Sequence, residues 1–398
     1  MTERRPFLCP WPAWAECVAY LAGMRYLCSI APPGVGGQNG TMGRKGTYLR
    51  RLAAVLTVAA ALATGGCMKY GPIPQETFDY PLGDNPEGVF ILCEGNFMYG
   101  NATMSFYLPS TGELQNEVFA RANGMKLGDV AQSMTLHDGV GYVVVNNSGI
   151  IFGIDPETFL VRKVIRGIGS PRYMLFAADK AYVTSLYEPR IAVLDPATTQ
   201  PVGAIDTGDH TSTEQMVVVG NRLFVTCWSY DDTVLVIDTA TDTIEAEIEV
   251  RPQPRQMALD AHGKLWVLTD GGAEGQTRQA PALYRIDPAT LAVEREFVFR
   301  IGDSPKGLCV GVDGETVYFL NEDVWRMAAD AEELPAQPYI RAHETIYYAL
   351  GVDPHSGDLY LGDAIDYQQQ GVVYRFSAEG VPLDTLRVGI TPTAFCFR

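Results

Sequence analysis

The composition of this 398-residue chain is typical of a turn-rich β protein. It contains 40 Gly, 25 Pro and 20 Tyr, only 19% of its residues are charged, and no long helical period occurs after residue 66. The 30 basic and 47 acidic side chains give a net charge of −17. An acidic surface repels phosphate backbones, so we do not expect a nucleic-acid partner.

The first 41 residues match neither a targeting signal nor a folded repeat. They hold Cys9, Cys17 and Cys28, two Trp and a Gly/Pro-rich end, and they show no hydrophobic periodicity. A separate signal sequence begins at Met42. We therefore interpret residues 1–41 as an over-extended start that is not part of the fold.

Residues 42–66 resemble a bacterial lipoprotein signal peptide. Four basic residues between positions 44 and 51 precede an apolar run over 52–63, and small residues then lead to Cys67. The run is shorter than the roughly 20 residues that a membrane-spanning helix needs. We predict lipidation of Cys67 and a tether over residues 67–87, with an uncleaved anchor as the alternative. Without residues 1–66, which hold 7 basic and 2 acidic side chains, 23 and 45 remain.

From residue 88 onward the sequence repeats one structural unit. Hairpin patterns such as "SPRYMLFAADKAYVTS" and "TEQMVVVGNRLFVTC" each precede an apolar run, an aspartate turn and another strand-like run. The turn aspartates are spaced 40, 43 and 49 residues apart, at Asp155, Asp195, Asp238 and Asp287. Four antiparallel strands every 40 to 50 residues are typical of β-propeller blades.

The number of copies predicts seven blades. Six hairpins begin near Gln132, Arg172, Glu214, Arg255, Lys306 and Tyr348. The segment "GVFILCEGNFMYGNATMSFYLPSTGEL" supplies three strands of a seventh blade, and the C-terminal "GITPTAFCFR" supplies its missing first strand. We therefore predict an all-β fold over residues 88–398, a seven-bladed propeller whose C-terminal strand closes the first blade and removes the exposed sheet edges. Two stacked β-sandwiches would require a linker, and none occurs between Gly88 and Arg398.

No catalytic motif stands out in residues 67–398. The H-E-x-x-H, G-x-S-x-G and CxxC patterns are missing, so we expect a binding protein that is not an enzyme and uses no cofactor or metal. Cys93, Cys227, Cys309 and Cys396 are spread over distant repeats, which favours buried free thiols over disulfides.

Propeller geometry gathers the starts of the first strands and the loops after the second strands at one face. Aromatic residues interleaved with amides and basic groups occur in these segments, which suits a large flat ligand. The alternative is that the aromatic rings pack between blades. We predict ligand contacts at Gln132, Asn147, Arg172, Tyr187, Gln215, Trp228, Tyr230, Arg255, Lys306 and Tyr367.

The strings "CEGNF", "GDVAQSM", "NNSG", "SPR" and "TEQM" resemble the YncE-like propeller lipoproteins of Bacteroidota over essentially all of residues 88–398. That group includes the BtuG-type cobalamin-binding proteins. The resemblance implies an outer-membrane lipoprotein, displayed at the cell surface, that captures a corrinoid and passes it to a TonB-dependent transporter. No acidic run follows Cys67, so a periplasmic position stays open.

Two other classes of function also remain open from the sequence. One is a scaffold that binds a protein or a glycan. The other is a propeller lactonase or lyase, whose metal would be held by residues such as Glu94, Asn96, Asn146 and Asp270.

We predict that export in a bacterial host yields an acylated protein that begins at Cys67. Mass spectrometry of the purified protein should show the lipid, and Cys67→Ser should move the protein from the membrane fraction to the soluble fraction, whereas Cys309→Ser should not. An intact N-terminus upstream of Met42, or unchanged fractionation of Cys67→Ser, would contradict the lipoprotein interpretation.

Overall fold

Nearly all regular secondary structure in the computed structural model is antiparallel β-sheet. The model describes residues 87–272 and 278–398, which all belong to one compact unit, Pro72–Arg398. The predicted over-extended start, signal peptide and lipidated Cys67 lie outside the described residues. Among the helices in the described ranges, none is long and apolar enough to cross a membrane.

The strands differ in burial according to their place in a blade. Strand β5 (Val140–Val145) is buried at every position, because neighbouring blades cover both of its faces. Strand β15 (Thr243–Glu249), with the sequence TIEAEIE, is largely exposed on alternate residues. Continuous apolar runs therefore occupy the blade interior, and alternating sequences form the outer edge.

The first three blades are four-stranded. Blade one has the order β27-β1-β2-β3, blade two runs from β4 to β7 and blade three from β8 to β11. Their strands are β1 (Val89–Cys93), β2 (Thr103–Leu108), β3 (Glu113–Gln115), β4 (Ala131–His137), β5, β6 (Ile150–Ile154), β7 (Val161–Arg166), β8 (Pro171–Ala177), β9 (Lys180–Ser185), β10 (Arg190–Leu194), β11 (Pro201–Asp206) and, from the C-terminus, β27 (Pro392–Phe397).

Blades four to seven follow in chain order. Blade four spans β12–β15, blade five β16–β19, blade six β20–β22 and blade seven β23–β26. Their strands are β12 (Thr213–Val219), β13 (Arg222–Cys227), β14 (Thr233–Asp238), β15, β16 (Pro254–Leu259), β17 (Leu265–Thr269), β18 (Ala282–Ile286), β19 (Val293–Val298), β20 (Lys306–Val310), β21 (Thr316–Asn321), β22 (Asp323–Ala328), β23 (Tyr347–Val352), β24 (Leu359–Asp363), β25 (Gln370–Phe376) and β26 (Pro382–Ile390).

The predicted closure of the ring is confirmed. Strand β27 pairs antiparallel with β1, with Val89 opposite Phe397 and Ile91 opposite Phe395. The inner strands β27, β4, β8, β12, β16, β20 and β23 contact one another in cyclic order. The chain therefore forms the seven-bladed β-propeller that the repeats predict.

Blade six departs from the predicted four strands. It has three assigned strands, and the fourth position is marked only by an isolated bridge between Val324 and Ile340. Pro335 and Pro338 precede Ile340, and proline has no N–H to donate to a strand ladder. The prolines thus explain why this edge does not form a regular strand.

The Asp turns lie between the third and fourth strands, as the repeat predicts, and they stabilise the scaffold. Asp155 Oδ1 accepts hydrogen bonds from the backbone N–H groups of Glu157 and Thr158, at 2.8 and 2.9 Å. A short helix α1 (Val118–Asn123), which the repeat pattern does not predict, connects blades one and two. Its residues Val118 and Phe119 pack into the core between these blades.

Deleting residues 391–398 removes β27 and should open the ring. Because β1 would lose its ladder partner and the apolar contacts of Phe395 and Phe397, we expect the free energy of unfolding to fall by several kcal/mol, a large share of the usual total of about 5 to 15 kcal/mol. Urea unfolding followed by tryptophan fluorescence measures this. A truncated protein that unfolds at the same urea concentration and with the same cooperativity would contradict the closure.

Candidate functional site

All seven inner strands begin at one end of the ring, and we call this end the channel mouth. Side chains from distant blades meet there. Glu94, which follows β1, accepts hydrogen bonds from the Tyr348 hydroxyl at 3.2 Å and from the Thr393 hydroxyl at 2.9 Å. The mouth is formed by Gln132, Arg172, Glu214, Arg255, Lys306, Tyr348 and Thr393 together with Glu94 and Trp228.

Register shifts at the start of the inner strands decide which side chains face the mouth. In β12 the shift lies between Thr213 and Met216, and a bulge of this kind redirects side chains. Glu214 is fully buried against Arg172. The side-chain oxygen of Gln215, predicted as a ligand contact, instead accepts the Met257 N–H of blade five at 2.6 Å. Gln215 therefore fastens two blades together, and Glu214, which was not among the predicted ligand contacts, supplies a buried acidic group at the mouth.

Arg172 and Glu214 form a buried, two-pronged ion pair. The Nε and Nη2 atoms of Arg172 donate to the two carboxylate oxygens of Glu214, each at 2.6 Å, and their side chains are 7% and 1% exposed. Burial opposes the charge of Arg172, but attraction and hydrogen bonding by Glu214 outweigh it and raise the pKa of Arg172. The charge of Arg172 is thus already compensated inside the protein.

Trp228 forms part of the wall of the mouth. Its ring lies 5.7 Å from the Arg172 guanidinium carbon and 5.2 Å from that of Arg255, which is within cation–π distance. Its indole N–H donates to Asp270 Oδ2 at 3.1 Å, and burial raises the pKa of Asp270. Trp228 is half-buried, so it supports the two arginines as well as facing the mouth.

Glu94 occupies a half-buried polar position where the first and last strands of the propeller meet. Burial raises the pKa of Glu94, while the hydrogen bond from Thr393 and the charges of Arg255 and Arg172 oppose this shift. Backbone bonds from the N–H groups of Glu94 and Gly95 to Thr391 and Ile390 hold the segment in place. The carboxyl group is therefore fixed by hydrogen bonds and favours the neutral form more than a solvated glutamate does.

Aromatic side chains project from the loops around the mouth. We call the rim the loops 94–102, 186–189, 228–232 and 364–369, which join second and third strands. Tyr187 and Tyr230 are 72% and 70% exposed, which contradicts the alternative that these rings pack between blades. The rim also exposes Phe97, Met98, Tyr99 and Tyr367.

The backbone of the rim is strained at several of these bulky residues. Met98, Tyr187, Tyr230 and Tyr367 have φ angles of 71°, 77°, 66° and 61°, in the left-handed region that costs an L-residue about 1 kcal/mol or more. In blade two the same kind of conformation is taken by Gly149, at φ 60°, which carries no such cost. The same conformation occurs at Phe159 and Leu291 in the Asp turns, so the rim is distinguished by its exposed aromatic rings and not by the backbone conformation alone.

The other predicted contacts lie near the mouth with structural partners of their own. Gln132 is buried and hydrogen-bonds to Tyr173, opposing the rise in the pKa of Tyr173 that burial causes. Asn147 is exposed, and its side-chain N–H group donates to Asp129 Oδ2 at 2.6 Å. The ammonium of Lys306 lies 5.4 Å from the ring centre of Tyr348. Among the ten predicted ligand contacts, the structure thus brings Arg172, Trp228 and Arg255 into one cluster.

The residues suggested for a lactonase metal site are committed to other contacts. Asn146 donates to the carbonyl of Pro171 at 3.0 Å, and Asn96 donates to the carbonyl of Tyr367. Within the described ranges, one group of three potential metal ligands lies close enough together to share a cation. It consists of His210, Cys227 and Asp231. There the His210 ring is hydrogen-bonded to Asp231 at 2.8 Å, which joins the connection between blades three and four to a loop of blade four.

A cleft between blades five and six does not include the residues that form the mouth. It is lined by residues such as Phe299, Asn321 and Trp325. It contains no pair of basic groups and no rim tyrosine. We therefore assign the candidate site to the mouth, where the polar and aromatic groups converge.

The buried ion pair makes a testable contribution to stability. Glu214→Gln leaves Arg172 buried without a counter-charge, so we expect the free energy of unfolding to fall by about 3 kcal/mol or more. The double variant Arg172→Met, Glu214→Leu should recover much of this loss. Urea unfolding measures both, with Glu245→Gln as the control.

Glu245 forms a more exposed ion pair with Arg222, so its loss should cost less than about 1 kcal/mol. Equal effects of Glu214→Gln and Glu245→Gln would show that the buried pair has no special role.

Solved structures with the same fold come from several bacteria. A quinonprotein alcohol dehydrogenase-like protein of Bacteroides thetaiotaomicron aligns with a TM-score of 0.61 and 15% identity, over 78% of each chain. A putative 6-phosphogluconolactonase of Bacteroides fragilis gives 0.57 and 12%, over 80% of this chain and 100% of the other. The periplasmic gluconolactonase PpgL of Pseudomonas aeruginosa gives 0.56 and 15%, over 78% and 99%. At these identities the likeness shows the fold alone.

The sequence comparisons identify a family without an assigned activity. No curated protein matches the chain. The profile of the family described as "Domain of unknown function (DUF5074)" matches residues 87–388. This range spans more than half of the chain and nearly the whole propeller, so the protein belongs to the DUF5074 family.

Proposed function

We propose that this protein is a ligand-binding propeller that captures a large, flat small molecule at the channel mouth, with a corrinoid as the ligand class. The observation that carries the proposal is the rim, where exposed aromatic side chains from several blades cluster around one end of the ring.

The exposed rings favour a binding surface because of where they lie. Single exposed apolar side chains are normal on a protein surface, but a cluster on one face marks an interaction site. Tyr187, Tyr230 and Tyr367 come from three different blades and share that face. Tyrosine adds flat contact area at a small loss of side-chain entropy and keeps a hydroxyl for hydrogen bonding.

A corrinoid fits the chemistry of this surface. Its macrocycle is broad with apolar edges, so it can lie against the tyrosine rings, and its peripheral amides can bond to the tyrosine hydroxyls and other exposed polar groups around the mouth. The sequence resemblance to the BtuG-type proteins supports the same ligand class. Under this proposal the lipid on Cys67 anchors the protein at the outer membrane, where it delivers the corrinoid to a TonB-dependent transporter.

The carboxylates of the mouth support binding better than catalysis. Glu214 is bound by Arg172, Glu94 by Tyr348 and Thr393, and Asp270 accepts from Trp228. A general acid or base must reach a substrate atom, and these groups are held by the protein itself. A scaffold that binds a protein through the same rings is the competing proposal.

Calorimetry with cyanocobalamin tests the proposed function. We expect binding to the purified protein, and we expect Tyr187→Ala and Tyr230→Ala each to weaken it at least about tenfold, since truncating an aromatic anchor typically costs 1 to 2 kcal/mol or more. Both residues are exposed, so their replacement should leave folding intact. Val202→Ala is the control, because Val202 is 63% exposed on the outer strand β11, away from the mouth.

Two results would overturn the corrinoid proposal. No heat or spectral change with cyanocobalamin at micromolar protein would favour the scaffold. Binding that persists unchanged in both tyrosine variants would place the ligand elsewhere on the propeller.

A further inference from the structure

Two basic side chains of the channel mouth lack an acidic partner. Arg255 and Lys306 lie at the starts of β16 and β20, which are neighbouring inner strands. Within residues 87–272 and 278–398, neither side chain has a carboxylate oxygen within 4 Å. Each instead faces an aromatic ring, Arg255 that of Trp228 at 5.2 Å and Lys306 that of Tyr348 at 5.4 Å.

The nearby acids do not compensate these two charges directly. Both oxygens of Glu214 accept from Arg172, and Asp270 is bound by Trp228 and by the Gly272 N–H. Glu94 accepts from two hydroxyl groups. Burial raises the pKa of both Glu94 and Asp270, and the charge of Arg255 is among the influences that oppose each shift.

Placing two cations close together in a partly buried site carries an electrostatic cost. Burial and the charge of Arg255 lower the pKa of Lys306. Burial also acts against the charge of Arg255, but attraction by Tyr348 and Glu214 outweighs it and raises the pKa of Arg255, so Lys306 is the less compensated of the two cations. Elsewhere the chain is strongly acidic, with a net charge of −17. Retaining unpaired basic groups at the centre of an acidic protein is explained if a bound anion supplies the missing charge.

We propose that Arg255 and Lys306 form an oxyanion subsite in the channel mouth, which binds a phosphate or carboxylate group of the captured ligand. This subsite rests on the proposed function, since it lies at the mouth that the rim tyrosines surround. The guanidinium can donate two parallel hydrogen bonds to such a group, and the ammonium adds a compact charge. The ligand class therefore narrows to flat molecules that carry an oxyanion.

Titration with small anions tests the subsite without the rest of the ligand. Inorganic phosphate and acetate are added separately to the purified protein at constant ionic strength set with chloride, and the melting temperature is followed. We expect at least one of the two to stabilise the wild-type protein in a saturable way. The stronger of the two identifies the group as phosphate or carboxylate.

Charge-removing variants locate the effect. Arg255→Gln and Lys306→Gln should each weaken the apparent anion affinity about tenfold or more, the usual loss for a hydrogen bond to a charged group. Arg326→Gln is the control, because Arg326 also lies over a tyrosine ring, 3.7 Å from the centre of Tyr339, but on β22 outside the mouth. The melting temperature of each variant without anion shows whether it is folded, and either variant alone suffices for the test.

The outcomes separate the subsite from the proposed function. No saturable stabilisation by phosphate or acetate, or equal stabilisation of the wild type and both mouth variants, overturns the subsite even if cyanocobalamin binds. Anion binding that depends on Arg255 and Lys306 supports the subsite even if cyanocobalamin does not bind, in which case the corrinoid proposal fails alone.

Discussion

The pairing of β27 with β1 is the contact on which the rest of the molecule depends, because it joins the two ends of the propeller. Ring closure also builds part of the candidate site. Thr393 on β27 donates to Glu94 just after β1, although the two residues are 299 positions apart in the chain. The same carboxyl group accepts from Tyr348 of blade seven. An open ring would therefore lose both its edge protection and the polar network at one side of the mouth.

Electrostatics at the mouth differ from those of the rest of the protein. The chain has 17 more acidic than basic side chains, but the mouth gathers Arg172, Arg255 and Lys306. One of these cations is neutralised by a buried partner, and two face aromatic rings instead. Arg172 therefore contributes to the scaffold, whereas Arg255 and Lys306 give the mouth its affinity for negative groups.

The repeats in the sequence predict the fold well, because each blade repeats the same hairpins and Asp turns. They predict the site less completely. Which residue of a strand start faces the mouth depends on a bulge, so Glu214 was missed and Gln215 was selected in its place. The partner of Glu214 is equally hidden, since the Arg172 contact joins residues of neighbouring blades. In blade six, prolines precede Ile340, and only a single bridge stands where the fourth strand would be. The spacing of the strands in the sequence does not reveal this departure.

A rigid ring and a strained rim are complementary features of the proposed binding surface. The inner strands are fixed on both sides by neighbouring blades, and glutamines such as Gln215 and Gln256 fasten one blade to the next through backbone N–H groups. Such a frame can hold Tyr187 and Tyr230 in a conformation that an isolated loop would avoid. A loop backbone held in one conformation reduces the entropy cost of ordering the loop when a ligand binds. Under the proposed function, the free energy stored in the rim backbone is thus offset by a smaller ordering cost on association, and this requires that the ligand contact the loops in the conformation in which the ring holds them.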